Sequence, residues 1–300
     1  MGGILDMNNL KTALFMLGLI ILFVIIGDLI AGKEGMIWAF SLALITNGIA
    51  YWFSDKIILM MYGAKELKED EYPGVFSIIK ELTLKMELPM PKVYLINTLT
   101  PNAFATGRNP KNSAVALTKG ILDILNRNEL RGVIAHELSH IKNRDTLISV
   151  ISATIAGAIF TLARIGQWTL IFGGGHRDDR DSNPLSGIGM LFTIIIAPIA
   201  ALVIQMAISR SREYEADRTA AIVTSDPLSL ANALRKLHDT IQRIPLNTHP
   251  TTAHMFIVSP LKGKDITNLF STHPPITERI KRLEQIYAEL NGYSVPNIIR

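Results

Sequence analysis

Cysteine is absent from all 300 residues, so the chain can form no disulfide and offer no thiolate to a metal, and any ion must be held by His, Asp or Glu. Aromatic residues make up 7% and charged residues 19% of the chain, and no Arg-rich block with interleaved aromatics occurs. The net charge of +4 is spread among 26 acidic residues, a pattern that excludes nucleic acid as the expected partner and suits the anionic headgroups of a lipid surface. Internal repeats and low-complexity tracts are also missing. No small-x-small cleavage site follows the first apolar run, which is therefore expected to be retained rather than removed as a secretory leader.

What the chain does have is apolar length. Hydrophobic residues reach 48% and the mean hydropathy is +0.27, too apolar for a typical soluble protein of this size. Crossing a bilayer takes roughly 20 apolar residues in a helix, and four runs qualify: Thr12 to Ala31, Met36 to Phe53, Leu147 to Phe172 and Gly187 to Ser209. The short connectors "GKEG" and "GGGHRDDRDSNP" pair them into two hairpins and leave everything else on one side. Lys11, Lys56, Lys65, Lys68, Lys142, Arg144, Arg210, Arg212 and Arg218 lie on that side, against Lys33, Arg177 and Arg180 on the tips, which puts the bulk of the protein in the cytosol. Arg164 is expected to snorkel beside Trp168, and Asp28 likewise at its own interface.

The expected fold is α+β and mostly helical, an integral membrane protein with four transmembrane helices and a cytoplasmic domain. Its parts are residues 1–53, a transmembrane hairpin; 54–146, the first part of the domain; 147–209, a second hairpin; and 210–300, the rest of the domain. "GVFSIIKELTLKMEL" has helical periodicity and stops at Pro89, and "KVYLIN" and "SAVALT" read as short strands. Arg210 to Thr224, Pro227 to Arg243 and Thr277 to Leu290 read as helices.

Asn128 to Asn143 is another, with Asn128 and Glu129 as start signals and Leu130, Val133, Ile134, Leu138 and Ile141 facing inward. His136 and His140 lie one turn apart on it, so two imidazoles converge on one ion, while Glu137 flanks the site without binding. This is H-E-x-x-H, a zinc protease signature of the gluzincin-like kind if a carboxylate completes it. A catalytic zinc takes three protein ligands and keeps an open position. Thr146 stands where a third histidine of the longer motif would be, so the third ligand is expected on another helix. "RSREYEADR" supplies Glu213 as that ligand and Asp217, four residues on, as acceptor for the free N–H of a zinc-bound histidine. Glu215 points elsewhere by helical phase. A bound zinc would activate water, with Glu137 as general base. Two His and one carboxylate would also suit iron; the H-E-x-x-H helix favours zinc, one ion per chain.

Five motifs in order, "PNAFATG", "AHELSH", "SREYEAD", "PTTAHMFIVSPL" and "LFSTHPPITERI", resemble those of the HtpX group of membrane-embedded zinc metalloproteases, relatives of the CAAX prenyl proteases. The resemblance runs over most of the chain. It implies a cytoplasmic-facing endopeptidase of the cell (inner) membrane, multi-pass with both termini in the cytosol, acting on misfolded or damaged membrane proteins under envelope stress. By the same resemblance His273 stabilises the transition state, and "NAF" lies on a strand edge, making Asn102 and Ala103 substrate contacts. Lipid and unfolded or membrane polypeptides are the expected partners. His249 and His254 are expected on the surface, His176 lies across the membrane, and His238 is assigned to helix packing. Two other readings are a CAAX-type prenyl-protein peptidase, for which four spans enclose too little space, and a non-catalytic adaptor stapled by zinc, which would have no use for an uncoordinated Glu137.

Overall fold

The computed structural model describes residues 2–147, 149, 210–243, 256–257 and 274–293. Most of the two later apolar runs, together with Arg164, His176, His249, His254 and His273, lies outside these residues.

The first element, α1 (Gly2–Met61), is helical throughout but not straight. Gly32 takes φ +57, and Asn47 Nδ2 donates to the carbonyl of Met16 at 3.1 Å across 31 residues. In a straight helix those residues would stand about 46 Å apart, so the chain turns back at Gly32 and its two halves lie side by side. The stretch Gly32–Phe53 is long and apolar enough to cross a membrane; within the earlier run the apolar helical stretch is the shorter Met16–Ile25.

Beyond α1 come β1 (Lys65–Glu66), α2 (Pro73–Met86), β2 (Lys92–Ile96), β3 (Ala103–Asn109), β4 (Asn112–Thr118), α3 (Lys119–Ile124), α4 (Arg127–Asn143), α5 (Arg210–Thr224), α6 (Pro227–Arg243) and α7 (Ile276–Leu290). The strands form one small mixed sheet in the order β1-β2-β4-β3, β2 and β4 parallel and the outer pairs antiparallel. The strands read from "KVYLIN" and "SAVALT" are β2 and β4. Alternation gave no sign of β3, because Ala103 to Thr106 are buried on both faces and so do not alternate.

Helix α4 is the centre of the domain. Leu130, Val133, Ile134, Leu138 and Ile141 are all buried in a core shared with α2, the sheet, α5, α6 and α7. It starts one residue earlier than expected, at Arg127: Asn126 accepts from the N–H groups of Asn128 and Glu129, and Glu129 accepts in return from the Asn126 N–H at 2.9 Å, a complete capping box. Arg131 holds α4 to two neighbours, donating to Glu81 on α2 at 2.7 Å and to the Thr224 carbonyl ending α5 at 2.9 Å. The bonds from Arg131 and Lys85 keep the Glu81 carboxyl down at about 2. His238, assigned above to packing, is exposed: α6 is a helix as expected, but the buried positions beside it are Leu234, Leu237 and Ile241.

Strand β3 is an edge strand whose outer side faces α4. Its shape depends on Gly107, which has φ +132 and sits at a register shift between Gly107 and Asn109. A Cβ there would lie 2.2 Å from the Asn112 carbonyl oxygen. Gly107→Ala is therefore expected to cost at least about 1–3 kcal/mol from backbone strain. The measurement is thermal unfolding of the purified protein, and an unchanged Tm would contradict the strain assigned to this turn.

Candidate metal centre

The side chains His136, His140 and Glu213 come together, each offering one donor atom within 4.8 Å of the others. His136 Nε2 and His140 Nε2 are 3.2 Å apart, and Glu213 reaches them at 3.7 and 3.6 Å. Donors about 2.0–2.2 Å from a tetrahedral zinc stand roughly 3.3–3.6 Å from one another, so the spacing fits such an ion. All three are nitrogen or carboxylate ligands on two rigid helices, α4 and α5. His136 and Glu213 are buried, and Glu215, two residues on, is exposed.

Each imidazole has its own carboxylate on the far ring nitrogen. Asp217 Oδ1 lies 3.0 Å from His136 Nδ1, and Asp145 Oδ2 lies 3.1 Å from His140 Nδ1. Such contacts fix the tautomer that leaves Nε2 free to bind. Burial opposes a charge on His140, but the bond to Asp145 and the charges of Glu213, Asp145 and Glu137 outweigh it and raise the imidazole to about 9. The carboxylates of Glu213, Asp145 and Glu137 around the two rings supply the negative charge that a divalent cation requires.

Two members of the cluster escaped the sequence reading. Asp145 follows the end of α4, where no helical phase applies. Arg144 adopts the left-handed conformation at φ 58, and this turn brings Asp145 back to His140. Arg279 carried a readable signal, since it falls on the inward stripe of α7 with Ile276, Leu283 and Ile286. The side chain is 0% exposed and grips Asp217 with two bonds, Nε to Oδ2 at 2.8 Å and Nη2 to Oδ1 at 2.7 Å. Its Nη1 donates to the Ile257 carbonyl at 3.0 Å and stands 3.5 Å from Glu213. Burial alone would raise the Asp217 carboxyl; the charge and hydrogen bonds of Arg279, with those of His136, hold it below the ordinary range.

Glu137 is buried beside the donors, and its Oε2 accepts the N–H of Ala105 on β3 at 2.8 Å. Burial raises its carboxyl above the usual range, with Glu213 adding to the effect against the pull of both histidines and Ala105. Asn102 and Ala103 lie at the start of the same strand. Asn102 is buried, donates its N–H to Thr118 Oγ1 at 2.8 Å and accepts from the Ile257 N–H at 3.1 Å. His273 immediately precedes the described Pro274 and is not itself described.

An H-E-x-x-H helix whose histidines meet a carboxylate from a second helix defines a metallopeptidase. Residues 70–287 match Peptidase family M48. A protease HtpX homolog of Thermodesulfovibrio yellowstonii is 56% identical over 278 residues, covering 93% of this chain and 98% of that one. Another, of Pyrococcus abyssi, is 51% identical over 282 residues, covering 94% and 96%. The crystal structure of S. mikatae Ste24p matches with a TM-score of 0.55 at 17% identity, over 93% of this chain and 66% of that one, a likeness of fold. The chain belongs to peptidase family M48, and the adaptor reading falls away: it is a metallopeptidase.

Proposed function

We propose that the chain is a zinc-dependent endopeptidase at the cytoplasmic face of the cell membrane, cutting misfolded or damaged membrane proteins. The observation that carries this reading is the placement of Glu137, a buried carboxylate beside the three donors and bound to the edge strand β3. Zinc held by His136, His140 and Glu213 would supply a Lewis acid for the scissile carbonyl and a water acidic enough to be deprotonated near neutral pH. Ala105 occupies one oxygen of Glu137 and leaves the other to take the proton and return it to the departing amine. Asp217 and Asp145 hold the two imidazoles in orientation.

Substrate is held as an added strand on the outer edge of β3. Backbone groups alternate sides along a strand. Asn102 faces β4, because its carbonyl accepts from the Thr118 N–H, so Ala103, like Ala105, turns its main chain outward. Ala103 is thus the pairing position, and Asn102, with its side-chain oxygen on Ile257, shapes that edge. Main-chain pairing tolerates many side chains, as a substrate range of damaged proteins requires. His273 is assigned to the developing oxyanion on its motif alone.

Membrane placement is supported by the exposed apolar face of Gly32–Phe53, where Ile37, Trp38, Ile45 and Trp52 are 66%, 77%, 59% and 56% exposed. A face of that kind in water would be an aggregation site. The distribution of Lys and Arg supports the cytoplasmic side, and the four spans are retained as part of the proposal. The test is cleavage of unfolded casein by detergent-solubilised protein. Removing metal with a chelator is expected to abolish cutting, and added zinc to restore it; cutting that survives complete metal removal would refute the reading.

A further inference from the structure

A cavity of about 300 Å³, lined by Trp52, Phe53, Asp55, Lys56, Arg108 and Asn112, includes none of the metal-centre residues. Its position is defined by the apolar helix, since Trp52 and Phe53 are the last residues of Gly32–Phe53. Lys56 follows Trp52 by one turn, so the indole and the ammonium share a helix face about 6 Å apart along its axis. The opposite wall is the end of β3 and the start of β4, which supply Arg108 and Asn112. From it the Arg108 guanidinium stacks on the Trp52 ring, 4.5 Å from its centroid, and Nη1 donates to the Trp52 carbonyl at 3.4 Å. Lys56 Nζ stands 5.5 Å from the Phe53 centroid. Among the described residues neither cation is ion-paired, with Asp55 or with any other carboxylate. A stacked guanidinium keeps most of its five in-plane donors for an anion.

We propose that this cavity holds the phosphate of an anionic phospholipid headgroup between Lys56 and Arg108, its acyl chains lying along the exposed face of Gly32–Phe53. Aromatic rings at the end of an apolar helix with basic residues just beyond them match the order of acyl region, interface and headgroup. Two cations against the single carboxylate of Asp55 favour a headgroup with net negative charge over a zwitterionic one. The bound phosphate ties α1 to the end of β3, three residues from the Ala105 N–H that holds Glu137. The inference rests on the proposed insertion of α1 in a bilayer.

The experiment titrates the full chain in detergent with phosphatidylglycerol or phosphatidylcholine and counts retained lipids by native mass spectrometry. Phosphatidylglycerol is expected to be preferred. Arg108→Gln and Lys56→Gln should each weaken its retention about fivefold; Arg108→Lys should restore part of it, and Lys68→Gln, at an exposed basic residue outside the cavity, should leave it unchanged. Casein cleavage by each variant reports that the fold is intact. An equal loss in the Lys68→Gln protein would mean diffuse attraction and overturn the site. Displacement of the lipid by inorganic phosphate alone would overturn the lipid assignment in favour of a free-phosphate site. A wild-type protein that stays in the membrane fraction but prefers neither lipid sinks this site only, whereas one that fractionates as soluble sinks the membrane reading itself.

Discussion

Glu137→Gln is expected to lower turnover by about 10²–10⁴-fold while the protein still binds one metal ion. The substitution keeps the size of the side chain and an oxygen to accept the Ala105 N–H, which lies 2.8 Å from the native carboxylate. What it removes is the capacity to take a proton. The donor set is untouched, because His136, His140 and Glu213 meet without Glu137. Casein cleavage measured beside metal content separates the roles. Metal lost together with activity would make Glu137 a support of the centre rather than its base, and near-native activity would require another base.

Arg279→Leu is expected to lower stability by about 3–5 kcal/mol, because it strands the buried Asp217 carboxylate without its cation. In a chain of this size that corresponds to a Tm fall of roughly 5–8 °C. Activity should fall as well, since Asp217 also holds His136, 3.0 Å from its Nδ1, and a carboxylate that picks up a proton can no longer orient the ring in the same way. Combining Arg279→Leu with Asp217→Leu should recover much of the stability, as replacing both members of a buried pair often does, yet leave cleavage and metal affinity low. Thermal melting and metal titration of the two proteins provide the check. A double variant that regained both stability and metal affinity would show that the pair serves packing alone.

The parts of this molecule that sequence revealed are those governed by one helical repeat. The spacing of His136 and His140, the phase that buries Glu213 and Asp217 and exposes Glu215, and the inward stripe of α4 all follow from residues within a few turns of each other. The parts that stayed hidden depend on contacts the repeat does not encode. Strand β3 is buried on both faces and lost its alternation, so only the family likeness of "NAF" pointed to it. Asp145 reaches His140 only because Arg144 turns left-handed. Arg279 sat in plain view on an apolar stripe, but its partner lies on another helix, 62 residues away. The turn at Gly32 shows the same division: the two apolar runs are legible, while the 31-residue contact from Asn47 to Met16 belongs to the folded chain.

The guanidinium of Arg279 meets the ring of His136 across 143 residues of chain, and this separation has a bearing on synthesis. A polypeptide still on the ribosome carries the H-E-x-x-H residues before the α7 residues that steady them have been made. Until Arg279 has emerged and α7 has docked, Asp217 lacks its counter-charge and His136 its fixed orientation. Closing so distant a contact carries a loop-entropy cost that local helix formation does not, so the metal centre is complete only once the far end of the chain has joined it.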